Sequence, residues 1–283
     1  MKKSLGGLVI AAALLSHSAL ADDRFAGVEI DTQAVSGSVH MLVGAGGNIG
    51  VSAGKDGILI VDDQFAPLAD KISAELDKLG SGSPKFIINT HYHGDHTGSN
   101  AVFNEKHGST IFAHENVRIR LASAETPVPA SLPVVTYQDG LKFHFNDETI
   151  HVFHLFAGHT DGDSAVWFEN ANVVHTGDLF FKDTFPYIDL GAGGTVEGYM
   201  ASVSAIISRI DDDTKIIPGH GSLATKQDYQ LFLNMIQNTH AYVQGLKLEG
   251  KTLDEVLAIG LDEKWDAWSW QFINEERWIR TLY

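Results

Sequence analysis

The 283-residue chain contains no cysteine. That excludes disulfides and thiolate sites, so any metal must be held by histidine, aspartate or glutamate. Basic residues are scarce, 20 lysines and arginines against 36 aspartates and glutamates, for a formal charge of −16. A nucleic acid or an anionic membrane needs a basic face, so this balance argues against both as partners and leaves a small-molecule substrate. Apolar runs long enough to span a bilayer are also missing. The N-terminal one, Leu5 to Leu15 in MKKSLGGLVIAAALLSHSALADD, falls short of the roughly 20 residues a spanning helix needs. With Lys2 and Lys3 before it and Ala19-Leu20-Ala21 after it, it reads as a secretory signal peptide over residues 1–21. The expectation is a periplasmic protein with no membrane insertion after cleavage, residues 22–283 forming one domain with a helical C-terminal segment.

What is present alternates between two periodicities. Val39 to Asp63 reads as strands broken by the turns GAGGN and GKDG, and Pro67 opens a helix with Leu68, Ile72, Leu76 and Leu79 on one stripe, closed at Gly80. A strand over 85–89 runs into a histidine-rich loop. Helices near 100–106 and 115–122 flank a strand at 110–113, and three prolines between Glu125 and Pro133 mark a surface loop. Leu141, Phe143 and Phe145 alternate with polar residues and pair with a strand over 149–156 as a hairpin. Strands at 165–169, 172–175 and 215–218, a helix over 197–210 and a mainly helical remainder from Thr225 complete the pattern. Antiparallel hairpins interleaved with helices predict an α/β (α+β) fold in which two sheets face each other with helices outside, a four-layer αββα sandwich.

The chemistry is concentrated in NTHYHGDHTGSN, where His91, His93, Asp95 and His96 crowd one loop. Strand ends are rigid places from which side chains converge. Three further metal-capable residues follow apolar strands, each after a glycine: His159, Asp178 and His220. The count suits two metals. His91, His93 and His159 would supply three nitrogens to one zinc and leave a fourth position open, while Asp95, His96 and His220 hold a second ion, with Asp178 bridging or completing the pair.

His-x-His alone is a weak signal, but four ordered motifs are a strong one. HxHxDH at His91 to His96, GHTDGD at Gly158 to Asp163, TGD at Thr176 to Asp178 and PGHG at Pro218 to Gly221 resemble the metallo-β-lactamase-fold hydrolase superfamily, over about Val39 to Gly221. The resemblance implies the αββα fold and a dinuclear centre, two zinc ions per chain with iron or manganese as variants. It also implies a metal-dependent hydrolase that turns a metal-bound hydroxide on a small ester, thioester, lactone or amide. Asp95 would be catalytic as well as a ligand, orienting the nucleophile or handling its proton. Class B lactamases carry cysteine where Asp178 stands, and an oxygen ligand there resembles the glyoxalase-II-like thioesterases. The lysine with which such lactamases grip the drug's carboxylate, three positions after that cysteine, is replaced here by Phe181, with Lys182 one step later. A class B-like β-lactamase is the first alternative, and a redox or quinoprotein-associated accessory member the second.

Other conspicuous residues read as structural. His40, His144, His151 and His154 belong to strands, His114 caps or bonds near a strand end, and His175 lies in the core or on the surface. Asp62 follows a strand and, by the resemblance, holds a loop histidine in place; Thr160 and Asp163 fix the His159 loop. GAGGN lacks the lysine of a phosphate cradle and reads as a mobile flap over the metals. Phe180, Phe181, Phe185 and Tyr187 are expected to wall the pocket. Trp265, Trp268, Trp270, Phe272 and Trp278 are expected to pack the C-terminal helices on the body or to form a dimer contact.

Overall fold

In the computed structural model, which describes residues 23–80 and 83–283, the strand Gly57–Val61 is buried at all five positions. Successive side chains on a strand point to opposite faces. Leu59 and Val61 accordingly join one core, with Ile88, Ile150, Val152, Val166 and Phe168, and Ile58 and Ile60 join another, with Leu68, Ile72, Leu76 and Phe103. A third core gathers Phe153, Ala165 and Val174 with Val203, Ile206, Phe232, Met235, Ile236 and Trp278. Three apolar layers between four structural ones make the αββα sandwich that the pattern predicts.

Among the described residues the strands form two sheets. The first runs, edge to edge, β1 (Asp31–Ser36), β2 (Val39–Val43), β3 (Ile49–Gly54), β4 (Gly57–Val61), β5 (Pro84–Asn89), β6 (Thr110–His114) and β7 (Val135–Tyr137). It is antiparallel through β4 and parallel from β4 to β7. Helices α1 (Ala69–Leu79), α2 (Gly94–Thr97), α3 (Asn100–His107) and α4 (Glu115–Ala122) lie between its later strands in sequence. The second sheet comprises β8 (Gly140–Phe145), β9 (Glu148–His154), β10 (Ser164–Phe168), β11 (Val173–His175), β12 (Lys215–Ile217) and β13 (Ala224–Thr225), neighbours in that order. Its helices are α5 (Val196–Arg209), α6 (Lys226–Leu248), α7 (Leu253–Ile259) and α8 (Glu275–Leu282). Capping boxes Thr225/Asp228 and Thr252/Glu255 start α6 and α7 by satisfying the first free backbone N–H groups.

Strand direction is what positions the site. β4 and β5 are parallel, so Asp62 and the histidine loop leave the first sheet on the same side. β11 and β12 are parallel, and β9 is antiparallel to β10, which is antiparallel to β11, so β9, β11 and β12 end on one side too. The turns carrying His159, Asp178 and His220 follow those three ends. Two elements differ from expectation. β1, Asp-Thr-Gln-Ala-Val-Ser, is an edge strand whose first four residues are exposed, so it shows no apolar alternation, and β7 has only three residues after the proline loop. No described helix is long and apolar enough to cross a membrane. The signal-peptide reading of residues 1–21 lies outside the described residues.

Candidate metal centre

The histidine loop is shaped by Asp62. This residue is fully buried and sits at φ 64°, a left-handed conformation that side chains other than glycine adopt at a cost of order 1–3 kcal/mol. The turn aims its carboxylate back under β5. There Oδ1 accepts the Thr90 N–H at 2.8 Å and Oδ2 accepts the Thr90 hydroxyl at 2.7 Å and the His96 ring at 2.8 Å, as the resemblance led us to expect. His93 is extended, at φ −63° and ψ 148°, and the single turn α2 starts immediately after it. The change of backbone accompanies the division of labour: His91 and His93 precede the helical turn and fall in one group, while Asp95 and His96 lie within it and fall in the other.

All seven predicted residues converge. Ligand atoms of His91, His93, His159 and Asp178 lie within 4.8 Å of one another, and so do those of Asp95, His96 and His220. Asp178 joins the groups. Its Oδ2 is 3.4 Å from His159 Nε2 and 3.7 Å from His91 Nε2, and its Oδ1 is 3.1 Å from His96 Nε2 and 3.3 Å from His220 Nε2. Asp95 Oδ2 closes the second group at 3.5 Å from His96 Nε2 and 3.3 Å from His220 Nε2.

Hydrogen bonds on the outer ring nitrogens test whether a metal fits. His159 Nδ1 donates to the Tyr187 carbonyl at 2.7 Å, His93 Nε2 to Asp189 Oδ2 at 3.0 Å, and His91 Nδ1 to Thr90 Oγ1 at 3.0 Å. An outer nitrogen that donates leaves the inner one as a bare lone pair, the metal-binding tautomer. His93 Nδ1 and His159 Nε2 then face each other at 2.8 Å, two lone pairs that only a cation reconciles. Burial, above all, holds the His159 imidazole down to about 4 and the His91 imidazole well below its usual range, so both offer lone pairs rather than protons near neutrality. His91 Nε2, His96 Nε2 and Asp178 Oδ1 are buried with no hydrogen-bond partner among the described residues, an arrangement that costs about 1–3 kcal/mol per atom unless something fills it. The donor set fits a divalent metal.

The other half behaves differently. Burial opposes charge on His96, but Asp178, Asp95 and Asp62 outweigh it and raise its pKa well above normal. His220 rises to about 9, burial again being outweighed, here by Asp178 and Asp95. Burial also opposes ionisation of Asp178, and His96 and His220 nevertheless hold its carboxyl well below the usual range.

Two glycines permit the close packing. A Cβ on Gly219 would overlap Asp178 Oδ1, and one on Gly47 would overlap the His96 ring. The GAGGN segment is therefore not a mobile flap. Gly47 N–H donates to the Asp95 carbonyl at 3.0 Å and Asn48 N–H to the Gly219 carbonyl at 2.8 Å. The Asn48 amide donates to the carbonyls of Pro218 at 2.9 Å and Gly221 at 2.8 Å. The loop is a fixed rim pressed onto His96.

Other expectations divide. His114 caps α4, its Nδ1 accepting the Asn116 N–H at 3.2 Å, and Asp163 accepts the Thr160 N–H and hydroxyl, fixing the His159 loop. His175 is buried behind the Asp178 turn, bonded to the Asn48 carbonyl. Of the aromatic wall, only Phe181 and Tyr187 reach the site. Phe181 stacks on His220 at 4.9 Å and Tyr187 on His93 at 5.8 Å, whereas Phe180 and Phe185 are fully buried in the helical core. Lys182 donates to the Leu223 carbonyl at 3.2 Å and lies 3.7 Å from Asp228, so its ammonium is already engaged.

Sequence reasoning missed the strap Phe185–Asp189. Asp189 holds His93 and the Tyr92 hydroxyl, the latter at 2.8 Å, the Tyr187 carbonyl holds His159, and the Asp189 N–H donates to the His159 carbonyl. The tryptophan-rich tail braces this strap: Phe185 N–H donates to the Trp268 carbonyl, Trp270 Nε1 donates to the Phe185 carbonyl, and Trp278 stacks on Phe185.

Two helix-backed sheets with a histidine and aspartate cluster at one shared edge define an αββα metalloprotein. Residues 47–220 match the model of the metallo-beta-lactamase superfamily, and the chain belongs to that superfamily. It is 30% identical over 176 residues to a hydroxyacylglutathione hydrolase of Pelagibacter ubique, the match covering 61% of this chain and 64% of that one. It is 29% identical over 192 residues to a probable metallo-hydrolase of Bacillus subtilis, covering 62% and 90%. A metallo-beta-lactamase structure from Pontibacter korlensis aligns with a TM-score of 0.63 over 74% of this chain and all of that one, at 16% identity, a likeness of fold.

Proposed function

We propose that the protein is an exported, dinuclear metal-dependent hydrolase of a small carbonyl-type substrate: an ester, thioester, lactone or amide. One observation carries the reading: seven side chains in two groups, joined by the two oxygens of Asp178. Imidazole and carboxylate donors suit zinc, with iron or manganese also matching their chemistry. Metals bound there would acidify a water and polarise a carbonyl. The chain's own contributions are orientation and proton handling. Asp62, Asp189 and the Tyr187 carbonyl lock the histidine rings. Asp95 has a side chain about 27% exposed, and although burial opposes its ionisation, His96 and His220 keep it below the usual carboxylate range. A carboxylate kept ionised at the mouth suits orienting a nucleophile and accepting its proton. Export rests on the N-terminal pattern alone.

The name of the Pelagibacter relative favours a thioester within this class. A β-lactam is disfavoured, because Lys182 is engaged elsewhere. The test is turnover by the zinc-loaded protein, with and without chelator, on a panel of activated esters, thioesters, a lactone and a chromogenic cephalosporin. The expected result is chelator-sensitive hydrolysis of an ester or thioester with the cephalosporin slowest. Inertness toward the whole panel at full metal occupancy would overturn the reading.

A further inference from the structure

The imidazole of His175, the last residue of β11, is fully buried, and backbone groups engage both of its nitrogens. Nδ1 accepts the Gly177 N–H at 3.1 Å and Nε2 donates to the Asn48 carbonyl at 2.9 Å. A backbone N–H can only donate, so Nδ1 is bare and the ring proton sits on Nε2. Burial, above all, lowers the pKa of this ring, in keeping with the neutral form. Two further bonds close a circuit. Asn48 N–H donates to the Gly219 carbonyl at 2.8 Å, and Gly219 N–H donates to the Gly177 carbonyl at 2.8 Å. The path runs from Gly177 through His175, Asn48 and Gly219 back to Gly177, and ties together three loops that are distant in the chain. Gly177 precedes Asp178, Gly219 precedes His220, and Gly47, next to Asn48, donates to the Asp95 carbonyl. Space at the junction is used up: a Cβ on Gly177 would overlap the Thr90 side chain, and one on Gly219 would overlap the Gly177 backbone as well as Asp178 Oδ1. The other links are backbone, so the His175 ring is the member of the circuit that substitution can remove.

We propose that His175 is a positioning residue: through this circuit it sets the Asp178 carboxylate against His220 and the GAGGN rim. The inference rests on the metal-centre reading and deepens it. Asp178 faces both groups of ligands, so loss of the circuit weakens both halves, whereas Asp189 holds His93 in one half.

The test is zinc affinity at each half, read by chelator competition on metal-free protein. His175→Leu fills the space without bonding, and His175→Asn is smaller but offers Oδ1 to the Gly177 N–H. Val166→Ala opens a cavity at the β10 residue paired with His175 and controls for general loosening of the core. His175→Leu should weaken zinc at both halves by about 10- to 100-fold, His175→Asn should lose less, and Val166→Ala should stay near wild type. A space-filling role predicts the reverse order, with Leu ahead of the smaller, polar Asn. That order, a loss confined to one half, an equal loss in Val166→Ala, or wild-type affinity in His175→Leu would each overturn the proposal and leave the metal centre standing. Wild-type protein that takes up no zinc would end the metal-centre reading and the proposal with it. A second measurement does not depend on any variant folding: nitrogen-15 spectra of the wild type report the His175 tautomer. A protonated Nε2 and a bare Nδ1 are expected, and a proton on Nδ1 would break the circuit and overturn the proposal.

Discussion

The two halves of the candidate metal centre are built from the same residue types and prepared in opposite ways. In the His91, His93 and His159 half, an oxygen acceptor holds each outer nitrogen and burial keeps His91 and His159 unprotonated near neutrality. In the Asp95, His96 and His220 half, carboxylates outweigh burial and keep protons on the histidines. His220 and Asp95 side chains are also 29% and 27% exposed, against 0% for His159. The contrast teaches that a metal site is set by the charges facing its ligands as much as by the ligands themselves. One half presents lone pairs to an incoming cation, and the other must first release protons.

The largest expected effect comes from removing the shared or the most rigid ligands. His159→Ala or Asp178→Ala should abolish turnover and lower the bound metal measured by elemental analysis, with the far-UV circular dichroism retained. Full metal content in both variants would show that these side chains do not ligate.

A graded effect follows from protonation. His220 in the metal-free fold loses its proton near 9, so a metal at its half competes with that proton. Affinity there should rise as pH increases toward about 9, by up to about tenfold per pH unit for each proton displaced. His91 and His159, which burial keeps unprotonated near neutrality, give up no proton there, so the three-histidine half should bind with the weaker pH dependence. Calorimetric titration of metal-free protein across that range would resolve the two, and two sites with identical slopes would erase the distinction drawn between the halves.

A smaller effect is expected from the strap. Asp189→Ala frees the His93 ring and the Tyr92 hydroxyl, and should weaken metal at the three-histidine half by about 10- to 100-fold. Asp189→Asn, which keeps an acceptor, should recover much of that loss. Chelator competition reads the affinity directly, without recourse to activity. An Asp189→Ala protein of unchanged affinity would remove the strap from the account of the site.

The seven converging residues were readable because each carries a local mark: four lie within one hexapeptide, and three follow an apolar strand and a glycine. The reason for the glycines appears only in three dimensions, where Gly219 and Gly47 leave room for Asp178 and the His96 ring. Asp189 carried no mark at all. It acts on His93 across 96 residues of chain, and nothing in Phe-Pro-Tyr-Ile-Asp distinguishes it from a surface acid. The rim at GAGGN was misjudged for a related reason. Glycine-rich sequence permits mobility, and contacts with Asp95, Pro218, Gly219 and Gly221 withdraw it.

By itself, the sequence determined the layered fold and which seven side chains converge, because strand periodicity, strand ends and short-range spacing are properties of neighbouring residues. The tertiary structure alone decided which ligands face which charges, and hence the protonation of each half. It also decided how the GAGGN rim is anchored, through contacts with Asp95, Pro218, Gly219 and Gly221. Those depend on burial and on Coulomb interactions between side chains brought together from distant strands, which act over a few ångströms of space and leave no trace in linear order.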